Sequence, residues 1–151
     1  MSLEQWAADG WIKAHRPSQQ EIKDLLQIAD RDAKDASSGS ISADWRFGIA
    51  YNAALKLATI LLAASGYRVG RARHHQMTLQ AIPLILGPVR KADAAYLENC
   101  SRRRNAIQYD SVGGVTGDDV AELLEFVGTL REDVVAWLRD SHRDLVPPGI
   151  L

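Results

Sequence analysis

Arg102-Arg103-Arg104-Asn105-Ala106-Ile107-Gln108-Tyr109 places three guanidinium groups, an amide and a phenol in one short stretch. The chemistry such a set can do is recognition of an anion. A guanidinium forks phosphate or carboxylate oxygens through parallel N–H donors and keeps its charge at any physiological pH. With Cys100 as reference and about 100° of rotation per residue, Tyr96, Leu97 and Ile107 fall within roughly 60° of it. Arg103 and Arg104 fall inside the same apolar arc. An arginine on an apolar seam needs a counter-group, because an unpartnered charge is costly to bury. Either an acid of a neighbouring helix supplies it, which makes a structural salt bridge, or an external anion does, which makes a site. Arg104 and Tyr109 point about 140° apart on an ideal helix. They share one site only where the helix ends near Tyr109, or where a second subunit brings another copy close. Asn105 and Tyr109, four apart, share a face.

Other candidate chemistry is sparse. His74 and His75 are adjacent, so they cannot both ligate one metal ion, but one of them can move protons; the alternative is a helix cap or a solvated pair. No HxxxH or HExxH spacing, phosphate-cradling glycine loop or nucleophile elbow occurs, and neither metal nor cofactor is expected. The single cysteine, Cys100, excludes an intramolecular disulfide and reads as a small core residue. Trp6, Trp11, Trp45 and Trp137 read as core or interface anchors, since none lies within the basic stretch where a base could stack on it. Tyr51, Asn52 and Tyr109 are a further candidate lining for a small-molecule pocket.

The elements that must position these residues are helical. Leu3 to Asp9 forms a short helix or turn. Ser18-Gln19-Gln20-Glu21 has the form of a capping box after Pro17 and opens a helix striped by Ile22, Leu25, Leu26, Ala29, Ala33 and Ala36. Ser37 to Ser40 closes it. A second helix, from about Ala43 to Ser65 with Gly66 as its stop, is apolar almost all round and belongs at the centre of a bundle. A basic loop, Gly66 to His75, leads to a third helix from about His75 to Leu86, which Pro83 should kink or shorten. The fourth, about Ala92 to Tyr109, carries the arginines. Gly113-Gly114 breaks the chain, and Thr116 caps a last helix with a regular apolar stripe. No alternating strand is evident. The expected fold is all-α, an up-and-down bundle of four to five antiparallel helices. Residues 1–16 are an N-terminal extension or short helix, 17–146 the bundle, and 147–151 a tail.

Of the 151 residues, 46% are hydrophobic and 25% charged, as in a soluble globular domain. The net charge of −1 hides a segregation. From Gly66 to Tyr109 stand eight basic residues (Arg68, Arg71, Arg73, Arg90, Lys91, Arg102, Arg103, Arg104) against two acids, a balance of +6. Elsewhere ten basic residues meet seventeen acids, a balance of −7. Folding leaves two outcomes open: a patch that attracts phosphates, or neutralisation by acidic helices. The first ten residues lack an apolar leader core, and the longest uninterrupted apolar run, around Ile60 to Ser65, is too short to span a bilayer. No membrane is expected, and a cytoplasmic location is the simplest.

Between Pro17 and Leu145 the chain resembles the HEPN superfamily of higher-eukaryote and prokaryote nucleotide-binding domains, in particular its small stand-alone bacterial members. The resemblance rests on Ala43-Asp44-Trp45-Arg46-Phe47, Ala50-Tyr51-Asn52-Ala53-Ala54, Gly66-Tyr67-Arg68, His74-His75 and above all Arg103-Arg104-Asn105 followed by Tyr109. It implies a homodimer with a cleft between subunits, and an RNA- or nucleotide-binding protein. It also implies a metal-independent ribonuclease or toxin component, whose arginine holds the scissile phosphate and whose histidine, four to six residues on, moves protons. Here Arg104 and Asn105 match the first part, and Tyr109 stands where the histidine belongs. A tyrosine with its usual pKa near 10 is a poor base at pH 7, so the match favours binding over cleavage. On this resemblance Arg104, Asn105 and Tyr109 are the candidate catalytic residues. Arg103, Arg68, His74, His75 and Asn52 are the candidate substrate-binding set. The rival expectation is a non-catalytic interaction subunit that docks a partner such as a nucleotidyltransferase antitoxin.

Overall fold

Ala43–Ala64 (α3) dictates the arrangement of the rest. Its apolar residues run round the whole circumference, so it must be surrounded. Every residue from Ala53 to Ala64 is buried except Lys56 and Thr59. The computed structural model describes residues 1–70, 74–109 and 114–150, and their side chains except those of Gln108 and Tyr109. Around α3 pack α2 (Gln19–Ala36), α4 (His74–Leu86), α5 (Lys91–Tyr109) and α6 (Gly117–Ser141). A short α1 (Leu3–Ala8) precedes them, and single 3-10 turns follow α4 at Pro88–Arg90 and α6 at Arg143–Leu145. The protein is an all-α bundle. By length and composition α3 could also cross a membrane, but most of it is buried inside the bundle, as a central core helix must be.

Pairings across the helices fix their directions. Between α5, with the turn that leads into it, and α6, Arg90 donates to Asp133 at 2.6 Å, the Tyr96 and Phe126 rings lie 4.8 Å apart, and Arg103 donates to Asp119 at 2.9 Å. The partner numbers fall on one helix as they rise on the other, so the two are antiparallel. On α2 and α3, Asn52 donates to Asp32 and Arg46 to the Ala36 carbonyl, again antiparallel.

Local chemistry sets the boundaries. Ser18, Ser42 and Thr116 each cap a helix by accepting an N–H three residues on. Asp119 returns the favour to the Thr116 N–H and completes a capping box. The expected box at Ser18 is only half formed, because the Glu21 carboxylate turns to His15 Nε2 at 2.8 Å instead. Gly66, at φ +96°, ends α3 where a side chain would be strained. Pro83 does not stop α4, which runs on to Leu86.

One element has no counterpart in the sequence reading. β1 (Ile12–Ala14) pairs antiparallel with β2 (Tyr67–Val69), Ile12 opposite Val69. Ile12 is buried and joins Trp6, Leu62, Met77 and Ala81 in a second, smaller core at the far end of α3. Three residues are too few to display an alternation.

Candidate functional site

The first half of α3 is the exposed half. Trp45, Gly48, Ile49 and Asn52 recur at the three- and four-residue spacing that lines one helix face. They form the wall of a solvent-open cavity of about 680 Å³. Ser42 and Asp44 edge it at the helix start, Asp32 closes it from α2, His75 from the first turn of α4, and Arg104 and Ile107 from α5. The volume lies in the range that holds a small ligand.

Arg104 crosses α3 at Gly48. A β-carbon on that glycine would stand 3.7 Å from Arg104 Cγ, an ordinary contact. The guanidinium lies over the Tyr51 ring, 5.4 Å from its centre. Among the described residues no carboxylate makes an ion pair with it. Arg103, one residue earlier, has the opposite fate. It is held by Asp119, by the Gly114 carbonyl at 3.3 Å and by the face of Phe47 at 5.1 Å. Of two arginines on one seam, the fold supplies a counter-charge to one and an aromatic face to the other.

Tyr51 lies beneath the cavity rather than on its surface. It is fully buried, and among the described residues its hydroxyl has no hydrogen-bond partner. Ser101 sits close enough to favour the ionised phenol without bonding to it in good geometry, but burial dominates and raises the pKa. His75 tilts against Tyr51 with ring centres 6.5 Å apart. Burial lowers its pKa first, and the neighbouring His74, Arg104 and Lys56 lower it further. The imidazole is therefore neutral at pH 7 and free to accept a proton. Asp32, though buried, is satisfied: Asn52 donates at 2.6 Å and Arg31 at 3.1 Å.

Folding thus gathers Arg104, His75 and Asn52 on one cavity. It leaves Arg68 exposed on β2, His74 exposed at the start of α4 and Asn105 exposed on α5, none of them on the lining. Arg103 is engaged as described. The Tyr109 side chain, Arg71, Arg73 and Gly113 lie outside the described residues. The positive span is partly neutralised, since Arg90 and Arg103 are tied to acids of α6.

Sequence reasoning missed Trp45, Ser42, Asp44 and Asp32. Trp45 is not a core anchor: it is 66% exposed and borders the cavity. Its one signal was position, because a residue in the first turn of a helix sits where neighbours end. Asp32 carried a clearer one. It is three residues after Ala29 and four before Ala36, so it stands on the buried stripe of α2 and demands a donor.

The arrangement can hold a flat ring on Trp45, an anion on Arg104 and a proton acceptor at His75. Compared with known proteins, the chain matches no family model, no curated protein and no solved structure.

Proposed function

We propose that this cavity binds RNA or a nucleotide, with Arg104 as the group that takes a phosphate. The observation that carries the reading is the state of Arg104. Its permanently charged head is half-buried, stacked on Tyr51, without a paired carboxylate among the described residues, and on the wall of an open cavity. A phosphate oxygen completes such a cation through charge-assisted hydrogen bonds. Asp32 does not oppose this, because Arg31 and Asn52 already occupy its oxygens. The HEPN resemblance adds the expectation of a dimer whose two cavities share a cleft.

The test is fluorescence anisotropy of a labelled oligoribonucleotide, titrated at about 50 mM and about 200 mM salt, since phosphate contacts weaken steeply over that range. Arg104→Ala removes about 1.5–3 kcal/mol of charge-assisted bonding, a loss of at least tenfold in affinity, whereas Arg102→Ala, an exposed neighbour, changes little. Salt-dependent binding that persists unchanged in Arg104→Ala overturns the reading.

A second reading has one observation in its favour. Ile41 and Trp45 are both exposed at the start of α3, and an apolar pair of that kind suits docking to a protein partner. Under it the protein is a non-catalytic interaction subunit, and it captures no RNA at low salt.

A further inference from the structure

We infer that Trp45 is a stacking platform for one unpaired base, and that the cavity accepts a nucleotide whose phosphate bears a single negative charge. The inference rests on the reading that Arg104 takes the phosphate, and adds what lies on the other side of it.

Three observations converge. The first is exposure. An indole 66% open to water on a bundle whose other large rings are mostly covered leaves apolar surface uncovered. Base–aromatic stacking uses this kind of face, and it tolerates any base because every base has a π-system. The second is placement. Trp45 and Tyr51, which carries the Arg104 guanidinium, are six residues apart on α3, about 9 Å along its axis and about 120° around it, and it is the Arg104 side chain that joins Trp45 on the cavity lining. A base on the first, a ribose across Gly48 and Ile49, and a phosphate at Arg104 bridge that span along one wall. Ser42 is bonded to the Trp45 backbone N–H, so the platform is fixed by a helix cap rather than carried on a loop.

The third is charge. Among the described residues the lining has one permanent cation, Arg104, and neither of its carboxylates, Asp32 and Asp44, is free. A phosphodiester brings one negative charge and is balanced by Arg104. A triphosphate brings several, against one guanidinium. The lining therefore discriminates against nucleoside triphosphates and in favour of the singly charged phosphodiester of a strand unit.

The experiment pairs a change in the protein with a change in the ligand. A single-stranded oligoribonucleotide and a strand of equal length with abasic sites are titrated against the wild-type protein, Trp45→Phe, Trp45→Ala and Arg104→Ala. Competition by ATP, AMP and inorganic phosphate follows, and sedimentation of each variant reports its oligomeric state. Trp45→Ala should weaken binding of the normal strand by roughly 5- to 150-fold. Trp45→Phe should retain most of the affinity. The abasic strand should bind wild-type and Trp45→Ala alike, because the lost contact needs both rings. AMP should compete better than ATP. AMP that fully displaces the strand points to a free nucleotide as the ligand, and AMP that displaces it only partly points to RNA. If Trp45→Ala binds the normal strand as tightly as the wild type while Arg104→Ala does not, the platform is refuted and the phosphate reading survives. If Trp45→Ala changes the oligomeric state and leaves RNA affinity intact, the indole is a subunit contact and the inference falls. If the wild type binds no strand and no nucleotide, both readings fall together.

Discussion

Asn52→Ala tests whether the cavity wall is built as described. Asn52 sits on the most apolar helix of the chain and gives its amide N–H to Asp32, a carboxylate only 6% exposed, at 2.6 Å. A hydrogen bond to a charged acceptor contributes about 1.5–3 kcal/mol. The remaining partner, Arg31, is 64% exposed on its side chain, so water screens it and it cannot compensate. Removal of Asn52 therefore leaves a buried carboxylate short of a donor, and the full 1.5–3 kcal/mol should appear as lost stability. For a domain of this size each kcal/mol moves Tm by about 2–4 °C, so the melting point should fall by roughly 3–12 °C. The assay is thermal and urea unfolding followed by far-ultraviolet circular dichroism. Asp32→Asn and the double variant close a cycle, and a coupling above about 0.5 kcal/mol identifies a direct contact. An Asn52→Ala protein within about 0.5 kcal/mol of the wild type would mean that Asp32 is solvated, and the wall as described would be wrong.

Arg104→Met should fold as stably as the wild type within about 0.5 kcal/mol, because a thioether keeps a favourable contact with the Tyr51 ring, yet it should lose the phosphate affinity; equal losses in both assays would reveal a hidden counter-charge. His75 has a folded pKa below its ordinary value of about 6.5. The folded state therefore binds fewer protons, its stabilising effect is complete above about pH 6.5, and it is lost as pH falls through the lower folded value. His75→Gln should flatten that part of the pH–stability curve, and phosphate binding by the wild type should tighten across the same window as the imidazole gains charge. Cys100 is buried and its thiol is pushed up to about 11, first by burial. Its reaction with a disulfide reagent at pH 8 should track unfolding, and a fast burst in the native protein would contradict the packing.

The helices were legible because their signals are local. Ser18, Ser42 and Thr116 cap where a hydroxyl precedes an apolar stripe, and Gly66 stops α3 by conformational freedom alone. Periodicity also put Arg103 and Arg104 on one seam, but it could not separate them. Their difference comes from a turn of α6 that offers Asp119 to one, and a ring of α3 that receives the other. The exposure of Trp45 was illegible for the same reason: it depends on where α2, α4 and α5 end relative to α3. The β1–β2 pair joins segments more than fifty residues apart, and three residues on each side leave no pattern to read.

The alanine-rich centre of the molecule has a thermodynamic consequence for any ligand. Because α3 is packed round most of its circumference along its second half, the stretch bearing Trp45 and Asn52 continues a helix anchored in the core. A guest seated there meets a surface already in its final shape. Little backbone freedom remains to be surrendered on association, and the guanidinium that greets it is already parked on a phenol ring.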